Sequence, residues 1–348
     1  MQIKRMYLKN FRRFKGAALE FSPECTLISG PNAAGKTTLL EAVHLLIFGR
    51  SFRAMHMKEM IMDGEEDAAV ELDLVKEGVE HTLGLYFGQE RKKIRFNATE
   101  YRSLTSLIGL LTGASLLPTD VHLITGQPQL RRSLIDSIIA QVDPLYIHHL
   151  SRYAQTVKSR NCLLKAREFK AIDLFEEEMA KSAVYITKAR VDAVQAMDQI
   201  AAREFALFSQ ESEHVRLSYL SSFGKEEVSC ASFMHLMRAN RMKESYLGFT
   251  LAGPHKDDLL IHLSGKECRL YASEGQKRSV AAAIKLAAWS HLACVSSTLP
   301  LLLVDDAALG FDALRRERFF YALKSRGQVL ITSADKLEGS WSQLDLTR

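Results

Sequence analysis

Gly30-Pro-Asn-Ala-Ala-Gly35-Lys36-Thr37 stands between a short apolar run, Cys25-Thr-Leu-Ile-Ser29, and a run with helical spacing, Thr38-Leu-Leu-Glu-Ala-Val-His-Leu-Leu46. The eight residues fit G-x-x-x-x-G-K-[ST] at every fixed position, and strand, glycine loop, helix is the context the motif needs. Few folds can follow from such a start. The strand must be buried, and the loop must wrap so that successive N–H groups and a helix N-terminus face one point, which suits a phosphate. The expected roles run along the loop. Gly30, Pro31, Asn32, Ala33, Ala34 and Gly35 form the backbone cradle of an ATP site, and Lys36 reaches the β- and γ-phosphates. The Thr37 hydroxyl meets Mg²⁺, with Thr38 beside it at the helix start. A glycine turn before an ordinary helix is the bland alternative, and the full match in the right context outweighs it.

Two later segments complete the pattern. Leu301-Leu-Leu-Val-Asp305-Asp306 reads as a buried strand ending in two carboxylates, which is costly unless they are paired or near a metal. Asp305 is expected to hold Mg²⁺ through its hydration shell, and Asp306 to polarise an attacking water. Alone, such an ending reads as a solvated turn after a core strand. Ser273-Glu-Gly275-Gln276 opens a long helical run. Its hydroxyl, free N–H and helix dipole could bind a γ-phosphate, although by itself it is an ordinary N-cap. In this order, the three segments resemble the ATP site of ABC-type ATPases. That resemblance implies that Ser273, Gly275 and Gln276 act on the ATP of a second chain, so two ATPs are sandwiched in a head-to-head dimer. Lys36, Asp305, Asp306 and Ser273 are then the catalytic candidates.

The chain has 348 residues, 47% hydrophobic and 25% charged, ordinary for a soluble globular protein. A net charge of +5 permits an anionic partner without requiring one. The five cysteines are scattered and never in C-x-x-C spacing, so neither a zinc site nor a disulfide framework is indicated, and a reducing compartment suits them. The N-terminal MQIKRMYLKNFRRFK lacks the apolar core of a signal peptide, and Lys285 and His291 break the longest apolar region. A cytoplasmic location without membrane attachment is expected.

Read for organisation, the chain is an α/β protein: a P-loop ATPase head split in two by an inserted helical arm. The expected domains are 1–115, the N-terminal head part; 116–245, the arm; and 246–348, the C-terminal head part. Ile3 to Leu8 and Ala18 to Phe21 read as a small antiparallel pair, and Ala68 to Val75 and Val79 to Phe87 as a hairpin turning at Lys76-Glu-Gly78. Lys92 to Asn97 reads as a third strand. From Arg131 to Met242 the spacing is helical, broken near Asp143-Pro144 and near Ser218 to Ser232. Strand character returns at Gly248 to Pro254 and Leu259 to Leu263. A long helix follows Gly275, then strands at Pro300 to Val304 and Gln328 to Thr332 flank a helix from Ala313 to Ser325.

Four further stretches narrow the resemblance: "LKNFRRFKGAALEF" (8–21), "LLPTDVHLITGQPQLRRSLID" (116–136), "YAQTVKSRNCLLK" (153–165) and "LAGPHKDDL" (251–259). With the nucleotide motifs, they resemble the RecF family of bacterial recombinational repair ATPases from Met1 to about Leu330. The resemblance implies an ABC-type head like those of SMC and break-repair ATPases, with a compact helical arm. It also implies ATP-dependent dimerisation on duplex DNA and single-strand/double-strand junctions, with weak DNA-stimulated hydrolysis used as a switch. The partners the resemblance implies are RecR, RecO and RecA, in DNA replication, repair and the SOS response. An arm of about one hundred residues folded on itself spans at most roughly 75 Å, too short for a long coiled-coil tether.

Three positions depart from the family pattern. Leu309-Gly-Phe-Asp312 replaces the usual Ser-Glu-Leu-Asp, Lys256 stands where Arg is usual, and "ITSADK" lacks the switch histidine of ABC transporters, as RecF relatives often do. Asn10 to Arg13 lie where related heads approach the nucleotide. Arg53, Arg91, Lys92 and Lys93 are the candidate DNA contacts, each weighed against a solvated charged surface. A transporter subunit does not explain "GPHKDDL" or the arm. A metal nuclease would need a further acidic cluster, and a small-molecule kinase would give Ser273 to Gln276 no purpose.

Overall fold

The first ten-residue strand shows how the side-chain pattern sets the backbone. Ile3, Met6, Leu8 and Phe11 are buried while Lys4, Arg5 and Lys9 are exposed, and the break in alternation coincides with a register shift between Ile3 and Arg5. The computed structural model describes the chain except residues 89–91, 210–212, 225–226, 307–309, 334–340 and 347–348. Arg91 and Leu309 fall outside the described residues.

In chain order come β1 (Gln2–Phe11), β2 (Phe14–Glu20), β3 (Cys25–Ser29), α1 (Lys36–Phe48), β4 (Asp67–Lys76), β5 (Val79–Gly88), β6 (Lys92–Phe96) and β7 (Thr99–Tyr101). Then follow β8 (Gly113–Leu116), α2 (His122–Thr125), α3 (Pro128–Ala140), α4 (Pro144–Ala166), α5 (Ile172–Ala206), β9 (Val215–Leu220) and α6 (Cys230–Leu247). The last are β10 (Asp258–Leu263), β11 (Lys266–Glu267), α7 (Cys268–Tyr271), α8 (Glu274–Val295), β12 (Leu301–Val304), α9 (Ala313–Leu323), β13 (Val329–Ser333) and β14 (Ser342–Asp345).

The chain divides into two compact units. Residues 1–121, 203–211 and 273–348 form the first. Its antiparallel sheet runs β2-β1-β4-β5-β6-β7 and its parallel sheet β14-β3-β13-β12-β8. β8, β12 and β13 are buried along their whole length, as strands covered on both faces must be. One apolar cluster joins Ile3 and Val70 of the first sheet, Leu40 and Ile47 of α1, and Ile28 and Leu303 of the second. α1 is therefore buried nearly all round, which its run of apolar residues requires.

Residues 122–202 and 212–272 form the second unit, where α3 to α6 accompany the small antiparallel sheet β11-β10-β9. Asp143 caps α4, its carboxylate accepting from the N–H groups of Leu145 and Tyr146, with Pro144 at the first helical position. The interior of this unit is partly ionic. Arg160 of α4 is fully buried and donates to Glu176 of α5 (2.7 Å), Glu244 of α6 (2.6 Å) and the Thr250 hydroxyl (2.9 Å). Arg190 forks onto Asp136 at 2.8 and 3.0 Å and also donates to the Pro254 carbonyl.

These units correct the expected boundaries. β10 pairs antiparallel with β9, Asp258 opposite Leu220, and Arg131 forks onto Asp258 at 2.8 and 2.9 Å. Residues 246–272 thus belong with the helical unit, not with the head. At the other boundary, β8 pairs with β12, and Asp120 takes an ion pair from Lys285 of α8, so the first unit runs to residue 121. Residues 203–211 return to it as well. Glu204 accepts from Ser290, and Phe208 packs edge-on against Phe319. The expected strand at Gly248 to Pro254 is a loop, while β7, β8, β9, β11 and β14 have no counterpart among the strands expected from the sequence. Among the described residues, no helix is long and apolar enough to cross a membrane.

Candidate nucleotide site

The glycine loop leaves β3 at a point where β3, β12 and β13 all end on one side: Ser333 stands opposite Ser29, and Val304 opposite Ile331. Ligands of open parallel sheets bind outside such carboxyl ends. Gly35 holds φ 103° where Phe14 and Arg13 close over it, and a Cβ there would lie 2.7 Å from the Phe14 ring. Only glycine satisfies both demands. Lys36 Nζ donates to the carbonyls of Gly30 (2.6 Å) and Pro31 (3.0 Å), so its ammonium lies inside the curl of the loop.

From the far end of the chain, β12 delivers Asp305. The Thr37 hydroxyl donates to Asp305 Oδ1 at 2.9 Å, and the Thr332 hydroxyl donates to the same oxygen at 2.8 Å. Thr332 also accepts the N–H of Asp306 at 2.8 Å, holding that residue at φ 52° with its side chain exposed. Burial pushes the Asp305 carboxyl above the usual carboxylate range. The two threonine hydrogen bonds oppose that shift, neighbouring Asp306 adds to it, and Arg53 opposes it.

A cleft of about 610 Å³ is lined by Asn32, Ala33, Ala34, Gly35, Lys36, Thr37 and Thr38, together with Asp305, Asp306 and Thr332. The donor set fits Mg²⁺ with a triphosphate. A hydroxyl and a carboxylate share one point, a loop of N–H groups and a lysine lie beside it, and phosphates and water complete such a shell. Among the described residues, no group of three or more His, Cys, Asp or Glu could hold a metal by itself.

The remaining sequence candidates divide. Ser273, Gly275 and Gln276 do not line this cleft. They form a capping box at the start of α8, where Ser273 Oγ accepts the Gln276 N–H at 3.3 Å and Gln276 Oε1 accepts the Ser273 N–H at 2.7 Å. Ser273 and Glu274 are exposed. Lys92 and Lys93 are exposed on β6, and Lys93 pairs with Glu100. Arg53, expected among the DNA contacts, lines the nucleotide cleft, its Nη1 3.9 Å from Glu41 and its charge felt by Asp305. Arg12 and Arg13 also line the cleft, whereas Asn10 is buried on Glu65.

Glu41 and Thr332 were missed from the sequence. Glu41, fully buried one turn beyond Thr37, takes a two-pronged bond from Arg12 at 3.0 and 2.7 Å and another from Ser51. A lone Glu inside the apolar run of α1 was the available signal, since such a group must find a cation.

The parallel sheet, the glycine loop and the strand-end carboxylate define a P-loop ATPase fold. A family model described as an AAA domain matches residues 5–109. The DNA replication and repair protein RecF of Protochlamydia amoebophila (strain UWE25) is 41% identical over 340 residues, covering 96% of this chain and 94% of its own. That of Listeria monocytogenes serotype 4b (strain CLIP80459) is 32% identical over 343 residues, covering 96% and 93%. Among solved structures, that of the recombination mediator protein RecF-ATPrS in the RecFOR pathway matches with a TM-score of 0.89 and 30% identity, covering 97% and 94%. An SMC head bound to the C-winged helix domain of ScpA, at 17% identity and a TM-score of 0.57, shares the fold. The chain belongs to the RecF family of DNA replication and repair proteins.

Proposed function

We propose that the chain is an ATP-switched DNA repair and replication protein of the cytoplasm that dimerises on gapped or duplex DNA and, with RecR and RecO, promotes RecA loading. What carries the reading is the 2.9 Å hydrogen bond from Thr37 to Asp305, which brings the two Mg²⁺-binding side chains together across 268 positions of sequence. The relatives' description as DNA replication and repair proteins, and the match to RecF-ATPrS, support it.

The backbone of residues 30–35 and Lys36 hold the triphosphate, and Thr37 and Asp305 face the cation. Mg²⁺ held there would supply neutralising charge to the triphosphate. Asp306 orients the attacking water; its carboxylate is shorter than a glutamate, which suits slow hydrolysis stimulated by DNA. Ser273, Gly275 and Gln276 offer a helix N-terminus to the γ-phosphate bound by a second copy. Exposed Lys92 contributes to a salt-dependent hold on the DNA backbone.

Sedimentation with and without ATP, Mg²⁺ and a gapped duplex tests this. The unaltered chain should dimerise only with ATP and then bind DNA more tightly. Lys36→Ala should bind ATP too weakly to dimerise, and Ser273→Arg should keep ATP yet stay monomeric. A Ser273→Arg protein that dimerises as well as the unaltered one would overturn the shared site.

A further inference from the structure

α4, α5 and α6 meet at one end of the helical unit. Lys165, in the last turn of α4, lies across Gly248, which ends α6; a Cβ on that glycine would stand 3.0 Å from Lys165 Cγ. Arg241 of α6 pairs with Asp173, the second residue of α5, at 2.6 Å. Earlier along both helices, Tyr153 at the middle of α4 and Phe233 in the first turn of α6 both approach Gly253, so the two helices run in the same direction.

Large apolar side chains crowd this end. Met242 is 89% exposed, Tyr246 87%, Leu174 66% and Phe249 40%. Met242 and Tyr246 are four apart on α6 and share its outer face. Single exposed apolar residues are ordinary, but several together on a soluble fold mark a place that another surface covers.

The charge around them is one-sided. Lys165, Lys243 and Lys256 are exposed, and among the described residues none is ion-paired with a carboxylate. Lys256 Nζ instead sits 5.4 Å from the centre of the Phe249 ring. Nearby carboxylates are already engaged: Glu244 with Arg160, Glu176 with both Arg160 and Arg241, and Asp173 with Arg241. Glu168, just past α4, and Glu177, one turn beyond Leu174 on α5, are exposed exceptions. From Pro144 to Ala166, α4 has no acidic residue.

We propose that this end of the helical unit docks an acidic segment of another protein, one carrying leucine- or phenylalanine-like side chains among its Asp and Glu residues. Methionine and aromatic side chains at the centre with lysines around them match the core and rim of a protein interface. A single strand of nucleic acid would stack on Tyr246 and Phe249, but Met242 and Leu174 offer no ring to stack on. The inference does not depend on the nucleotide reading.

Random peptides displayed on phage, selected on the immobilised full chain and counter-selected on a Met242→Glu/Tyr246→Glu double variant, would test it. Both side chains are largely exposed, so the variant should keep its melting temperature and its affinity for a fluorescent ATP analogue. The peptides retained should place Asp or Glu around Leu or Phe. A labelled peptide from that set should bind about tenfold or more weakly to the double variant, and more weakly to Lys243→Glu, which leaves the apolar residues intact. Three results would overturn the proposal. One is selection that ignores these substitutions or returns neutral or basic peptides. Another is oligothymidine binding that the double variant abolishes. The last is ATP-independent self-association in sedimentation that the same variant removes.

Discussion

Asp305 and Arg160 are both charged groups withdrawn from water, and their surroundings differ in kind. Arg160, at 0% exposure, is closed in by two glutamates and a threonine hydroxyl, its charge answered within the helical unit. Asp305, at 6%, has two neutral threonine hydroxyls on one oxygen, a second carboxylate next to it, and a cleft in front. A buried charge with matched opposite charges is scaffold. One left to neutral donors at the edge of a cleft is prepared for a cation. "GPHKDD" belongs with Arg160 on this criterion. Asp257 accepts from Tyr219 and Ser222, Asp258 from Arg131, and His255 meets Tyr153 at 2.8 Å.

The largest effect expected from this contrast is on stability. Arg160→Met leaves Glu244 buried without a cation and Glu176 with Arg241 alone, and should cost about 3–5 kcal/mol in urea unfolding. The folded fraction should bind ATP normally, and a loss under about 1 kcal/mol would break the comparison.

Acid should act on the same unit. Burial holds the His255 imidazole down from 6.5 to about 4, with Lys256 and Arg132 acting in the same direction. Between these values the unfolded chain binds a proton that the folded chain refuses. Stability is therefore present above about pH 6.5 and is lost as pH falls toward 4, by up to about 3 kcal/mol. Unfolding midpoints across that range, compared with His255→Gln, check the sign; an unchanged slope in the variant would reassign the effect.

In the first unit the losses should fall on ligand rather than fold. Lys36→Ala removes a charge-assisted contact and should weaken a fluorescent ATP analogue by roughly tenfold to a hundredfold, with the urea midpoint nearly unmoved. The smallest effect sharpens the contrast most. Arg53→Gln should lower ATP affinity by a few-fold, about 1 kcal/mol, and leave the salt dependence of DNA binding alone. If the salt slope drops by about one while ATP affinity stays, Arg53 is a phosphate contact on DNA after all.

The antiparallel hairpin at Lys76 to Val79, the split of α3 from α4 at Asp143-Pro144, and the apolar strands β12 and β13 were legible in the sequence, because alternation, a cap and a run of branched residues are local signals. β8 was not: Gly113-Ala-Ser-Leu116 is short, with weak strand formers, and exists as a strand through its parallel pairing with β12. β9 lay hidden in what read as a helical break, since its partner β10 comes 38 or more residues later.

By itself, the sequence determined the phosphate loop. Its chemistry comes from backbone N–H groups whose directions are set by eight consecutive residues, and no distant partner is needed to aim them. The tertiary structure decided which distant groups meet that loop. Arg53 and Lys92 look alike in sequence, yet Arg53 lies near Glu41 and Asp305 while Lys92 is exposed at the start of β6. The direction of a long charged side chain depends on an opposite charge within its reach, one that Arg53 shares here with the Arg12 fork. Here that charge, Glu41, is buried on a helix walled in by two sheets, a position that arises only when the chain folds.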